Sequence, residues 1–310
     1  MGTGRRQVRR TLNPSAPVLL PILLDTDLGS DVDDELALAL LWGSPEVHLR
    51  GVCTTYGGVV LRARIVQRMA ELTGRTVDVA PGESTPLSGK DVWWTGDEGL
   101  AYDALPLPLP GRFPGGARSP GVRLLTAGGT RAHLLAIGPL TSVAVALDAG
   151  MVVDGITIMG GDWSDPSVAE HNLASDHVAA QRVLGSGLPI TVVGIDVTRQ
   201  VRFGEAEIAR YEACGELGRI LGAEMRAWMA RWDEDFEVPH DPLTALAMLQ
   251  PELFTFTPPA AVRVADGTDG PAGAVRVVDG PGTVRIATGV DVDAARTAMA
   301  DRIAAGLSVS

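Results

Sequence analysis

The chain has 310 residues, 45% hydrophobic and 21% charged, which is enough apolar sequence for a sizeable core and argues against wholesale disorder. Its net charge is -12 and its pI about 4.8, so its overall field disfavours nucleic acid and anionic membrane and suits a neutral or cationic small substrate, or a metal ion. No apolar run approaches the roughly 18–20 residues that span a bilayer.

Residues 1–16, with four arginines in RRQVRR, read as a flexible basic arm, and 17–310 as one domain. The run VLLPILL passes straight into Asp25 with no small-residue cleavage site, so it reads as a first strand (17–24) rather than a secretion signal. A helix is expected over 33–44, a strand over 48–55, an amphipathic helix over 61–74 ending at Gly74, and a strand over 77–80. Residues 81–130, including PLPLPGRFPGG, are rich in Gly and Pro and read as an irregular excursion. Strands follow at 133–137, 156–159 and 188–196, with helices after 138 and over 175–187. The stretch 204–250 is mostly helical, and 283–288 and 291–306 supply a last strand and helix. Repeated strand–helix alternation predicts a single-domain α/β fold, Rossmann-like, with a mostly parallel central sheet flanked by helices. Cys53 and Cys214 lack metal-ligand spacing and read as free thiols in a reducing cytoplasm, the expected location.

The chemistry concentrates in DTDLGSDVDD at 25–34, where Asp25, Asp27, Asp31, Asp33 and Asp34, with Glu35 next to them, follow the first strand. Ligands of open α/β sheets bind beside such strand ends. Carboxylates this close repel one another, so either some stay protonated or a cation compensates them, and hard cations such as Ca²⁺ favour oxygen ligands. The plainer alternative is that Asp33 and Asp34 only cap the following helix and oppose its dipole. That alternative leaves Asp25, Asp27 and Asp31 without a purpose. The spacing is not that of an EF-hand.

Six ordered blocks then make the chain resemble the nucleoside hydrolase (inosine–uridine-preferring ribohydrolase) family over roughly residues 18–306. The acidic block is similar to the family's D-x-D-x-G-x-D-D-x-x-A-L, with two residues added, so that Asp33 and Asp34 align with the paired aspartates and Asp31 is an extra. GVCTTYGGV (51–59), AIGPLTSVAVAL (136–147), IMGGDW with AEHN (158–172), SGLPITVVGIDVTRQ (186–200) and His240-Asp241-Pro242 are the others. The resemblance implies a Ca²⁺-dependent hydrolase that cleaves a ribonucleoside to ribose and free base. It implies Asp27, Asp34, Asp241 and the backbone carbonyl of Ile137 as metal ligands. Asp27 would also be the general base toward a water, with His240 near the leaving base. Asp33, Glu170 and Asn172, with His171 beside them, would meet the substrate. A homodimer or homotetramer is also implied.

Gly58 stands where the family has Asn or Asp, Thr95 where many members have His, and His171 replaces a Phe. An intact metal set beside an altered substrate set leads to the expectation of a modified or pathway-specific nucleoside. Trp93, Trp94, Trp163, Trp228, Trp232 and Phe236 are candidates to stack on a base, though at least half are expected in packing. Two rival readings remain at this point. One is a non-catalytic, metal-dependent nucleoside- or ribose-binding homologue. The other is a haloacid-dehalogenase-like phosphohydrolase, disfavoured by Gly29 and by a sole lysine, Lys90, in a poorly structured stretch.

Overall fold

The computed structural model describes residues 19–92, 98–102, 118–127 and 132–309. The N-terminal arm, PLPLPGRFPGG, Trp93, Trp94 and Thr95 therefore lie outside the described residues. The first half alternates β1 (Leu20–Thr26), α1 (Asp33–Trp42), β2 (Val47–Thr54), α2 (Val59–Leu72), β3 (Val79–Pro81), α3 (Pro120–Thr126), β4 (His133–Ala136) and α4 (Thr141–Asp148). The second begins with β5 (Gly155–Met159), α5 (His171–Ser175), α6 (His177–Leu184), β6 (Ile190–Val193) and α7 (Ile195–Thr198). It continues with α8 (Glu205–Glu212), α9 (Glu216–Trp232), α10 (His240–Leu249), β7 (Phe254–Phe256), β8 (Ala261–Val264), β9 (Val275–Val278), β10 (Val284–Val290) and α11 (Val292–Leu307).

Eight strands form one sheet in the order β3-β2-β1-β4-β5-β6-β10-β7, and every pairing is parallel except β7 with β10. The expected single α/β domain with a mostly parallel sheet is what the chain forms. The interior strands are near-continuous apolar runs because both faces are covered: all five residues of β5 are buried. Helix α1 is buried from Asp33 to Leu41, and it packs against α10 and α11. Its contact with α11 needs glycine on both sides. A Cβ on Gly306 would stand 1.8 Å from Ala39 O, and one on Gly43 would stand 1.8 Å from Arg302 O.

The chain leaves β1 toward β2 and β3, then returns to place β4 on the other side of β1. The β1/β4 gap is thus the topological switch point, where open α/β sheets bind ligands beyond the carboxyl ends of their strands. Asp25 and Ala136 are register partners across it, and Ile137 N–H donates to Asp25 O at 2.9 Å.

Three expectations need correction. The strand expected to 196 stops at Val193, because Gly194 opens the helical turn α7 and Ile195 N–H turns away to Gly161 O. The irregular stretch 81–130 contains α3, whose start is set by Ser119 accepting from Val122 N–H and by Pro120 in the first turn. Strands β7, β8 and β9 had no sequence counterpart. They are three or four residues long with exposed positions, too short for a period-2 signal, and β8 and β9 pair as a separate antiparallel ribbon.

Candidate active site

A cavity of about 320 Å³ opens at the switch point. Asp27, Asp31, Asp33 and Asp34 reach it from the β1–α1 loop and the start of α1, Ile137 from the end of β4, and Glu170, His171 and Asn172 from the start of α5. His240 and Asp241 enter from the first turn of α10, and Trp228 from α9. The nine residues that the resemblance assigned to the site thus line one cavity, although they come from four separate parts of the chain, and Trp228 joins them from a fifth.

Ligand oxygens of Asp33, Asp34 and Asp241 lie within 4.8 Å of one another, and all three side chains are buried. Burial first, and then repulsion from neighbouring carboxylates, push each carboxyl well above its ordinary range. Asp27 lies outside that trio but close enough to repel each of its members. Burial raises Asp27 too, against the opposing pull of Arg62 and of His171, whose Nε2 lies 4.0 Å from Asp27 Oδ2. Three converging, desolvated carboxylates, in a cavity that Ile137 also lines, make an oxygen donor set, which fits a hard cation. The trio includes Asp33, which the resemblance assigned to ribose.

Local structure explains how the groups are held. Gly29, at φ +107°, turns the chain after Asp27, and Thr26 Oγ1 hydrogen-bonds Asp34 Oδ1, tying the end of β1 to the start of α1. Gly138 must lack a side chain because a Cβ there would sit 2.5 Å from Asp27 Oδ1. Glu170 caps α5. Its Oε1 accepts from Asn172 N–H at 2.7 Å, and its Oε2 from Gly161 N–H at 2.9 Å and Leu173 N–H at 3.2 Å. Burial raises the Glu170 carboxyl while these three donors oppose the rise. The Asn172 side-chain amide donates to Ile137 O at 3.0 Å. Burial and the nearby Arg199 push His240 down to about 4, so its ring is neutral, and its Nδ1 lies 2.5 Å from Thr198 Oγ1.

Two contributors escaped the sequence reading. Arg62, fully buried on α2, hydrogen-bonds the backbone oxygens of Asp27 and Leu28 (2.7 Å for Leu28), Tyr56 O at 3.0 Å and Glu98 Oε1 at 3.4 Å. Its signal was present: Arg62 shares a helix face with Ile65, Val66 and Met69, where a surface arginine would not sit. Glu237 is also buried, and burial and Asp33 push it up to about 9. Nothing local marks it in DEDFEVPHD. Trp163 packs its indole N–H on Gly160 O at 3.1 Å, and His133 bonds Thr157, so both serve packing.

A family model described as inosine-uridine preferring nucleoside hydrolase matches residues 22–297. The chain is 34% identical over 258 residues to a pyrimidine-specific ribonucleoside hydrolase RihA of Enterobacter sp. (strain 638), covering 76% of this chain and 81% of that protein. It is 30% identical over 260 residues to an uncharacterized Schizosaccharomyces pombe protein, covering 76% and 82%. Among solved structures, a purine-preferring ribonucleoside hydrolase from Gardnerella vaginalis superposes with a TM-score of 0.79 at 25% identity, over 94% of this chain and 100% of that one. A plant nucleoside hydrolase shares the fold at a TM-score of 0.77 and 24% identity, over 93% and 99%. No helix among the described residues is long and apolar enough to cross a membrane. With that profile match and a cavity that gathers the motif residues, the chain belongs to the inosine-uridine preferring nucleoside hydrolase family, hydrolases acting on the N-glycosyl bond of ribonucleosides.

Proposed function

We propose that the protein hydrolyses its ribonucleoside in a Ca²⁺-dependent reaction, and the observation that carries this is the buried Asp33, Asp34, Asp241 trio with Asp27 beside it. Asp27, Asp34, Asp241 and the Ile137 carbonyl would hold the ion, with Asp33 adjacent. When bound, Ca²⁺ supplies a positive charge that neutralises the carboxylates and helps orient a ribose diol and a water. Asp27 takes a proton from that water as its oxygen bonds to C1′. The C1′–N bond breaks, its electron pair leaves with the base, and oxocarbenium character on the sugar is the charge to be stabilised. Arg62 fixes Asp27 through its backbone oxygen, and general-base help of this kind is worth about 10²–10⁴-fold.

Asp33, Glu170 and Asn172 are the groups for ribose hydroxyls, with His171 next to Asp27. Glu170 already serves three backbone donors, so it offers a substrate its one remaining lone pair from a fixed position. His240 Nδ1 is held against the Thr198 hydroxyl, which fixes the ring, and in the tautomer with Nδ1 accepting, Nε2 would carry the ring hydrogen for the departing base. Trp228 supplies a flat apolar surface for that base.

The relatives named above include both a pyrimidine-specific and a purine-preferring enzyme, so neither preference transfers. Gly58 supports a nucleoside that lacks, or does not need, one of the usual ribose contacts. The reading extends to a homodimer or homotetramer and a cytoplasmic location, the latter supported by two free cysteines. Calorimetry with inosine, uridine and adenosine, followed by analysis of the recovered nucleoside, tests catalysis against binding. Conversion to free base in the wild type, lost in Asp27→Ala, supports hydrolysis. Saturable binding with intact nucleoside recovered from the wild type supports a binding homologue instead.

A further inference from the structure

Acidic side chains crowd the catalytic cavity: Asp27, Asp31, Asp33, Asp34, Glu170 and Asp241 all line it. Arg199 is the only arginine or lysine among the described residues that do so. Its place follows from the local chain. Strand β6 ends at Val193, α7 turns from Ile195 to Thr198, and Arg199 closes that turn with its N–H on Ile195 O at 3.1 Å. The preceding residue, Thr198, is bonded to the His240 ring, Oγ1 to Nδ1 at 2.5 Å. Arg199 therefore stands at the end of the cavity that His240 and Trp228 line, the end read above as taking the base.

The guanidinium has no evident part in holding the fold. It is exposed, and it makes no hydrogen bond or ion pair with the other described residues. Elsewhere in this acidic chain Arg62, Arg182, Arg210, Arg226, Arg296 and Arg302 each reach a carboxylate within 3.4 Å.

Hydrolysis creates a need at this spot. The water oxygen bonds to C1′, Asp27 takes the water's proton, and the electron pair of the C1′–N bond goes to the base. The base thus leaves with a negative charge unless a proton reaches it in the same step, and a His240 N–H meets only one of its atoms. The rest of the charge spreads over ring nitrogens and exocyclic oxygens, in a cavity whose carboxylates repel it. Arginine keeps its charge at any working pH and carries five N–H donors in one plane. A cation already in position where charge develops lowers the barrier without reorganising. We propose that Arg199 is a catalytic residue at the leaving-group end, its guanidinium hydrogen-bonding the departing base and stabilising the electron pair left on it. The proposal rests on the hydrolase reading above and adds to it the group that helps the base leave.

Steady-state kinetics of the full chain in saturating Ca²⁺ test the assignment. The substrates are inosine, uridine, phenyl β-D-ribofuranoside and para-nitrophenyl β-D-ribofuranoside. The sugar is the same throughout, but para-nitrophenolate spreads its charge into its own nitro group and needs little help to leave. Arg199→Met is expected to lower kcat on the poorer leaving groups by about 10–100-fold, less than the roughly 10²–10³-fold of a fully enclosed donor. Its kcat on the para-nitrophenyl riboside should fall by less than about 3-fold, since little transition-state stabilisation is then removed. Arg199→Lys, which keeps the charge without the planar fork, should recover part of the loss. An equal fall on all substrates would move the effect to the sugar or the fold and overturn the proposal, as would no fall on any. A wild type that hydrolyses the para-nitrophenyl riboside alone already lacks leaving-group help, which overturns it too. Turnover of that riboside by the wild type, lost in Asp27→Ala, keeps the hydrolase reading standing when the Arg199 assignment fails. A wild type that turns over none of the four refutes the hydrolase reading, and the role of Arg199 with it.

Discussion

The side-chain amide of Asn172 donates a hydrogen bond to the carbonyl oxygen of Ile137 at 3.0 Å. A residue expected to meet the sugar therefore orients a carbonyl expected to meet the metal. A carbonyl oxygen has two lone pairs, so Asn172 occupies one and aims the other. Replacing an orienting partner of this kind typically costs about 10–100-fold in metal affinity or activity. Asn172→Ala is expected to raise the Ca²⁺ concentration needed for half-maximal activity by that factor, in addition to any change in KM. A change in KM at saturating Ca²⁺, with unaltered Ca²⁺ dependence, would assign Asn172 to the sugar alone.

Arg62 holds the loop that carries Asp27 by bonding two of its backbone oxygens. Its removal leaves those carbonyls and the Glu98 carboxylate, 3.4 Å from the guanidinium, without that donor in a buried place. Breaking a buried pair on one side costs about 3–5 kcal/mol. Arg62→Met should lower the urea-unfolding free energy by that amount. Arg62→Lys should recover only part of it, because an ammonium lacks the planar fork. A loss under about 1 kcal/mol for Arg62→Met would show that the loop holds itself.

Much of this site is legible in the primary structure, for a physical reason. Asp25 to Asp34 are neighbours in sequence, and their placement after an apolar strand already puts them at the ligand-binding edge of a parallel sheet. His240 and Asp241 are visible because they start a helix together. What is not legible is long-range. Arg62 acts on backbone atoms more than thirty residues away, and Glu237 looks like any surface acid until the fold buries it. The inclusion of Asp33 in the closest carboxylate group likewise depends on Asp241 arriving from α10, which no local spacing encodes. The β8–β9 ribbon is missed because four-residue strands carry too few positions to show a period.

Gly58 initiates α2 at φ -74°, and a Cβ built there meets nothing closer than Leu61 Cβ at 3.9 Å. An asparagine therefore fits without strain. Gly58→Asn is expected to leave the unfolding free energy within about 0.5 kcal/mol of the parent. It should raise kcat/KM for unmodified inosine or uridine, by restoring a ribose contact. Unchanged or lower kcat/KM in a folded variant would remove Gly58 from the determinants of selectivity.

His133 contributes a pH dependence outside the active site. Its ring bonds Thr157 Oγ1 at 2.8 Å, and burial pushes it from the ordinary 6.5 down to about 4. The folded value lies below the unfolded one, so between pH 6.5 and 4 the unfolded chain binds the extra proton. The stability that neutral His133 contributes is complete above pH 6.5 and is lost as the pH falls toward 4, by up to about 3 kcal/mol. His133→Gln should remove that part of the slope. It is read as the difference between wild type and variant in unfolding free energy at pH 7.5 and pH 4.5. Parallel curves for the two proteins would contradict the assignment.

Hydrolysis of a nucleoside by a carboxylate-held Ca²⁺ together with Asp27 is open to a direct test. The most direct measurement is release of free base and reducing sugar across a panel of plain and modified ribonucleosides, with EGTA and again after Ca²⁺ is restored. Release is expected from at least one nucleoside, abolished by EGTA, recovered with Ca²⁺, and absent from Asp27→Ala under both conditions. Undiminished release in EGTA, or full activity in Asp27→Ala, would contradict it.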